Sequence, residues 1–267
     1  MEIKLFLCDI FLTTTSPILL RKVKIEKPPY KPFKIVAHRG SGSKYPENTI
    51  NALKEAIKLG VDFVEIDVRR TKDGKLALWH DDTIERLTGE KEKHLEDKNY
   101  DAISKIDIGL GEHVPLFEKA LDVINDKIGL VVDIKRTGYE KEIYREISER
   151  GMIEQTIFSG ENDSLIRLKE MDSRVIIAYT LYVADPRSIF YAKKIGAMFV
   201  NFKFPTVTPE IINRAHENGL GVIVWVVNAP GDLVRYASMN VDVITTDDPR
   251  EALALRKRLR EQKLIMG

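Results

Sequence analysis

The chain of 267 residues carries 42 Lys and Arg against 41 Asp and Glu, a formal net charge of +1. That balance gives no global attraction to nucleic acid, and a single cysteine, Cys8, excludes an internal disulfide framework and a Cys-rich zinc site. Glutamine occurs only as Gln155 and Gln262 while Lys and Glu abound, a bias that fits an intracellular protein of a thermophile, expected in the cytoplasm.

The chain begins with an apolar stretch, "KLFLCDIFLTTTSPILL". It is too short and too interrupted, by Asp9, for a membrane helix of roughly 20 apolar residues, and no small-residue cleavage site follows it. "LFLCDIFL" and "ILLRKVKIE" read instead as two strands around a "TTTSP" turn. "KPPYKPF" then reads as a stiff, extended linker. Residues 1–33 are thus expected to form an N-terminal extension ahead of a main domain over 34–267, with membrane contact not expected and a membrane-peripheral or export role as the rival reading of this stretch.

From residue 34 on, eight β-rich runs follow one another: "KIVAH", "FVEIDV", "LVVDIK", "TIFSG", "VIIAYT", "MFVNF", "VIVWVV" and "DVITTD". Between most of them lie helical stretches, at 47–59, 116–126, 140–150, 161–171, 186–194, 208–218, 231–238 and 249–262. Asp185-Pro186, Thr208-Pro209 and Asp248-Pro249 each offer an N-cap with proline in the first turn. Gly151, Gly196 and Gly219 stand where left-handed helix ends are expected. Near-continuous apolar strands alternating with helices predict an α/β fold, a (β/α)₈ TIM-type barrel. A doubly wound sheet is the rival, weakened because no Gly-rich dinucleotide or phosphate-loop fingerprint follows any strand.

One run breaks the alternation. "EIDVRRTKDGKLALWHDD" passes from strand to strand with no room for a helix, and "KDGK" reads as a two-residue hairpin turn. Pairing Lys72 with Lys75 would set Asp67 opposite His80. The polar segment 81–114 then becomes a rim insertion, a lid or small subdomain over a site.

Barrels of this kind carry their sites at the C-terminal ends of the strands. Those ends hold His38 and Arg39, Glu65 and Asp67, Asp133 and Lys135, Ser159, Asn201, Trp225 with Asn228, and Thr246 with Asp247, with His80 added by the hairpin. Such a set suits a phosphate with one divalent cation. Glu65 and Asp67, spaced i, i+2, share one face of a strand, and two anions so close repel unless a cation binds. Oxygen ligands favour Mg²⁺, Mn²⁺ or Ca²⁺ over Zn²⁺, with Asp133 as the third. The alternative is a salt-bridge cluster with Arg69, Arg70 or Lys135. His38 and His80, titrating near neutrality, can serve as general acid and base. Arg39 offers planar donors to phosphate oxygens or a bridge to Glu47 or Glu65. Asn48 is expected to cap the first helix. His94, His113 and His216 are expected to be ordinary surface or capping residues.

Taken in order, "AHRG…PENT", "EIDVRRTKDGKLALWHD", "VPLFEKAL", "VVDIK", "VIVWVVN" and "ITTDDP" resemble the glycerophosphodiester phosphodiesterase family over roughly residues 34 to 255. The resemblance implies a barrel enzyme that hydrolyses glycerophosphodiesters to an alcohol and glycerol phosphate with a divalent cation. It implies His38 and His80 as the catalytic pair, Arg39 and Lys135 near the phosphate, Trp225 packed against substrate, and Glu65, Asp67 and Asp133 around the metal. Two departures stand out. The third acidic ligand is usually glutamate, and here Asp133 has the shorter arm. Ser159-Gly160 stands where the family often has Ser-Phe. His38 is assigned as base and His80 as acid. The partner is a small-molecule substrate, and exposed barrel helices leave room for a homo-oligomer. The rival readings are a lysophospholipase D-type activity on lysophospholipids and a non-catalytic phosphate-binding barrel.

Overall fold

The computed structural model describes residues 31–41, 44–89, 91 and 94–265. The expected N-terminal hairpin, most of the linker and Cys8 lie outside the described residues. Among the described residues, no helix is long and apolar enough to cross a membrane.

Eight parallel strands close into a barrel: β1 (Lys34–Ala37), β2 (Phe63–Arg70), β4 (Gly129–Ile134), β5 (Thr156–Gly160), β6 (Ile176–Leu181), β7 (Phe199–Lys203), β8 (Gly221–Trp225) and β9 (Val243–Thr246). β1 pairs with both β2 and β9, which completes the ring. β3 (Leu76–Leu78) runs antiparallel to the end of β2. The outer layer comprises α1 (Ile50–Leu59), α4 (Phe117–Ile124), α5 (Glu140–Glu149), α6 (Asn162–Met171), α7 (Pro186–Lys194), α8 (Pro209–Glu217), α9 (Pro230–Ser238) and α10 (Pro249–Glu261). The barrel expected from the alternation is the barrel found. The Asp-Pro and Thr-Pro signals act as predicted: Asp185, Thr208 and Asp248 accept from the backbone N–H groups of Arg187, Ile211 and Arg250.

Alternation along the strands sorts two cores. Residues facing outward, such as Ile35, Val64, Ile66, Val132, Phe158 and Val224, pack under the helices. Val36, Val131, Ile157, Ala178, Ile223 and Val243 form a separate apolar cluster, with Phe63 and Phe199 against it. Two residues further along the same faces stand His38, Asp133, Ser159, Thr180, Trp225 and Thr245. The interior is therefore plugged with hydrocarbon below and turns polar at the C-terminal end, where the packed layer supports a site.

The hairpin departs from expectation. Val68 pairs with Leu78, Arg69 with Ala77 and Arg70 with Leu76, one residue away from the predicted register. The loop is longer than two residues because Thr71 closes it: its N–H donates to the Lys75 carbonyl at 2.8 Å, while its hydroxyl accepts from the Lys75 N–H and binds Asp73. Asp67 therefore bonds Trp79, whose N–H donates to the Asp67 carbonyl at 3.1 Å. His80 enters the site one position later, after the chain has left the sheet. The insertion that follows contains α2 (Glu85–Thr88) and α3 (Tyr100–Ile103). It builds a small core of its own from Trp79, Ile84, Leu95, Ile103, Ile108 and Val114.

The opposite end of the barrel is tied by charge. Asp62 accepts from the Ile35 N–H at 2.9 Å, pairs with Lys34 at 3.0 Å and binds Arg256. Burial works against the charged carboxylate, but these donors hold its pKa below the ordinary value. A folded-state pKa below the unfolded one adds stability above the unfolded pKa, and that stability is lost as pH falls through the folded one. Asp62→Asn is expected to flatten the acid limb of the unfolding free energy below about pH 4. Denaturant titrations from pH 2 to 6 check this, and an unchanged limb would contradict it.

Candidate active site

The polar ends of the strands surround a cleft of about 580 Å³. His38, Arg39, Glu65, His80, Asp133, Lys135, Ser159, Asn201 and Trp225 all line it. Parallel register places Asp67 beside Asp133, and Asp133 beside Ser159. Carboxylate oxygens of Glu65, Asp67 and Asp133 come within 4.8 Å of one another, so the shorter arm of Asp133 still reaches the cluster. Glu65 and Asp67 are buried and Asp133 is half-buried.

The charges in this cluster are unevenly satisfied. Lys135 lies 2.7 Å from Asp67 and 3.2 Å from Asp133. Arg39 Nε lies 3.3 Å from Asp67. Burial disfavours the Asp67 anion, yet Lys135 and Arg39 outweigh it and hold the carboxyl well below the usual range. Glu65 has the opposite balance. Burial first, then repulsion from Asp67 and Asp133, pushes its pKa well above that of an ordinary carboxylate. Its Oε2 accepts the Arg39 N–H at 2.8 Å, while Oε1 is buried with no hydrogen-bond partner among the described residues. An unpartnered buried oxygen beside two more carboxylates is the environment that a hard divalent cation relieves. The residues present fit such an ion. Arg69 and Arg70 do not join them: Arg69 pairs with Asp82 and Glu96, and Arg70 with Glu142.

Each histidine is backed by a carboxylate. His38 Nδ1 lies 2.6 Å from Asp247, and its Nε2 lies 4.0 Å from Glu65. Asp247 is held in turn by Asn228, through the Asn228 amide at 2.7 Å and the Asp247 N–H at 2.9 Å. Burial would lower the His38 pKa, but Asp247 and Glu65 outweigh it and the pKa is raised. His80 Nδ1 lies 2.5 Å from Asp81. Its pKa is lowered, first by burial and then by Lys135 and Arg39, against the opposing pull of Asp67 and Asp81. Arg69 fixes the loop here, donating to the His80 carbonyl at 3.0 and 3.1 Å.

The first helix is capped differently from the expectation. Thr49, not Asn48, is the N-cap, accepting from the Ala52 N–H. Asn48 is turned into the left-handed region, φ 57°, and grips Asp67 twice. Its amide donates to the Asp67 carboxylate at 2.6 Å and its carbonyl oxygen accepts the Asp67 N–H at 3.1 Å. Glu47 binds Arg39 at 2.9 Å. His94, His113 and His216 do not line the cleft. His113 Nδ1 lies 2.9 Å from the Ile106 carbonyl oxygen, and His216 binds Asp242 at 2.8 Å.

Trp225 donates to the Asn201 carbonyl at 3.3 Å and meets Tyr182 edge-on, with ring centres 5.6 Å apart. Tyr182 and Lys203 extend this wall, and sequence reading passed over both. Gly160 closes the adjacent side at φ +99°, and a Cβ there would overlap the Ile134 backbone and the Asp133 carboxylate. The glycine thus makes room for Asp133. Gly160→Ala is expected to cost about 1–3 kcal/mol of stability through backbone strain and to displace Asp133. Denaturant unfolding and calcium or manganese titration check both effects. Wild-type stability and ion affinity would contradict the packing argument.

The model of the glycerophosphoryl diester phosphodiesterase family matches residues 38–251. A glycerophosphodiester phosphodiesterase of Caldanaerobacter subterraneus subsp. tengcongensis is 32 % identical, over 84 % of this chain and 98 % of the relative. The crystal structure of a glycerophosphodiester phosphodiesterase from Parabacteroides distasonis superposes with a TM-score of 0.77 at 22 % identity, covering 86 % of this chain and 99 % of that one. A phosphodiesterase from Oleispira antarctica, solved in complex with its product sn-glycerol-3-phosphate, superposes with a TM-score of 0.75 at 21 % identity, over 83 % of this chain and 96 % of that one. At these identities the two structures speak for the fold.

Proposed function

The chain belongs to the glycerophosphoryl diester phosphodiesterase family, and from that premise we propose how its own residues hydrolyse a glycerophosphodiester to an alcohol and glycerol phosphate. The observation that carries the reading is a pair of carboxylate-backed histidines opening on the same cleft as a three-carboxylate cluster. Glu65, Asp67 and Asp133 would hold one Mg²⁺, Mn²⁺ or Ca²⁺, which when bound supplies positive charge to the phosphoryl oxygens. Arg39 and Lys135 line the same cleft and offer donors to those oxygens. Trp225 provides an apolar wall for the glycerol or the alcohol.

The two histidines divide the proton work. A general acid must hold its proton at working pH and a general base must lack it. Asp247, with Glu65, raises the His38 pKa toward the protonated form an acid needs, whereas burial and the cations Lys135 and Arg39 lower that of His80 toward the neutral form a base needs. His80 is therefore proposed as the base that takes the proton of the nucleophile, and His38 as the acid that protonates the departing alcohol. This proposal reverses the direction assigned from the sequence, because the surroundings behind it, Asp247 beside His38 and the burial of His80 near Lys135 and Arg39, carry no mark of their roles in the linear chain.

The leaving group tests this direction. A glycerophosphodiester of p-nitrophenol needs no proton on departure, while glycerophosphocholine does. His38→Ala is expected to lose about 10²–10⁴-fold in kcat on the choline ester and to recover most of that on the nitrophenyl ester. His80→Ala is expected to be impaired on both. Recovery by His80→Ala alone would return the acid to His80.

A further inference from the structure

The insertion does more than cover the rim. Asp81 follows His80 directly in the chain, so its carboxylate must curl back to reach its neighbour's ring. An aspartate side chain still in part open to water has competing orientations, and one contact to a histidine does not select among them. Five residues on, in α2, Arg86 supplies the anchor. Its Nε lies 2.6 Å from Asp81 Oδ2, while Asp81 Oδ1 lies 2.5 Å from His80 Nδ1. The other end of the guanidinium reaches Glu47, with Nη2 at 2.5 Å and Nη1 at 3.3 Å. Glu47 in turn holds Arg39 Nη1 at 2.9 Å. An unbroken path of charge-assisted contacts thus runs from the histidine on the insertion to the arginine at the end of β1.

The planar fork of arginine suits two carboxylates at once, and a lysine ammonium does not reproduce it. Glu47 and Asp81 are mostly covered, with side chains 21 % and 23 % exposed, while Arg86 is 46 % exposed. A surface arginine holding one exposed partner contributes little, but here each carboxylate has a second, functional partner.

We propose that Arg86 is a positioning residue. It fixes Asp81 against His80 and Glu47 against Arg39, so that the acid–base histidine and the phosphate-binding arginine are set by one cation. The proposal deepens the hydrolase reading and rests on it for its kinetic consequences. Arg86→Ala is expected to lower kcat/KM by about 10–100-fold, split between kcat through His80 and KM through Arg39. Arg86→Lys is expected to recover one share at most. Asp81→Asn combined with Arg86→Ala is expected to cost little more in kcat than the worse single change, because both break one unit. Arg136→Ala is the control: Arg136 touches Asp82 and Glu96 in the same insertion, not Asp81 or Glu47, and should turn over like wild type.

A readout independent of turnover accompanies the kinetics. Long-range proton–nitrogen spectra report the His80 tautomer, expected to be fixed with Nδ1 protonated in the wild type and mixed in Arg86→Ala. An altered tautomer together with non-additive kinetics supports the proposal. An unchanged His80 spectrum, or kinetics within about threefold of wild type, overturns it. A fall in melting temperature with His80 unmoved also overturns it, leaving Arg86 a purely structural tie. If Arg86→Ala does not fold, Arg86→Lys and Glu47→Gln are read by the same criteria. If the wild type itself turns over no glycerophosphodiester, the hydrolase reading fails, and the spectrum alone decides whether Arg86 positions His80.

Discussion

Replacing His80 with alanine is expected to lower kcat by about 10²–10⁴-fold while leaving the fold intact. The separation between activity and stability follows from what holds the loop. Arg69 binds the His80 carbonyl twice, and Trp79 donates to the Asp67 carbonyl from the main chain and to the Thr83 carbonyl through its indole. None of these contacts uses the imidazole. The ring is 34 % exposed on the cleft side and its one hydrogen-bond partner among the described residues is Asp81. Removing it therefore takes away a proton acceptor without opening the core beneath. Steady-state turnover beside thermal unfolding checks both halves. A variant with normal kcat, or one that fails to fold, would contradict this reading of the loop.

Asp67→Ala is expected to do the reverse and damage the fold as well as the activity. Asp67 is 1 % exposed. It carries Lys135 at 2.7 Å, Arg39 at 3.3 Å and the Asn48 amide at 2.6 Å. Without it, two largely buried cations lose an anion they share. Breaking a buried pair by removing one member costs about 3–5 kcal/mol, and that is the loss expected in denaturant unfolding. EDTA must be present throughout, because an ion bound to the folded wild type would add to the apparent difference. Asp67→Asn keeps the shape and part of the Asn48 contact, so it should be less damaging to stability and equally damaging to ion binding. A loss under about 1 kcal/mol for Asp67→Ala would place the pair in the solvent-screened class and contradict the burial argument.

The two variants mark the limits of reading this chain from its residues. Strand alternation put Glu65 and Asp67 on one face and brought Asp133 beside them, because a parallel strand has a fixed two-residue period. The helix starts at Asp185, Thr208 and Asp248 were equally legible, since proline in the first turn leaves few other arrangements. What escaped was set by contacts with no period. The hairpin register depended on Thr71 bonding Lys75 and Asp73, so a three-residue loop replaced the expected two. Asn48 had the composition of a cap, yet the positive φ that turns it onto Asp67 is visible only once β2 lies beside it. Asp247 was noted at a strand end without a role, and Asp81 was hidden in plain adjacency to His80. Arg86 lay in a charged insertion where many arginines are mere solvent groups. Their functions come from side chains meeting across elements far apart in sequence.

The most direct test is release of glycerol phosphate from glycerophosphocholine by the wild type and Glu65→Gln. Both would be treated with EDTA and then resupplied separately with Mg²⁺, Mn²⁺ and Ca²⁺. The account predicts turnover that vanishes with EDTA, returns with at least one of these ions in the wild type, and does not return in Glu65→Gln. Undiminished turnover in EDTA, or in Glu65→Gln, would contradict a hydrolytic centre built on the Glu65, Asp67 and Asp133 cluster.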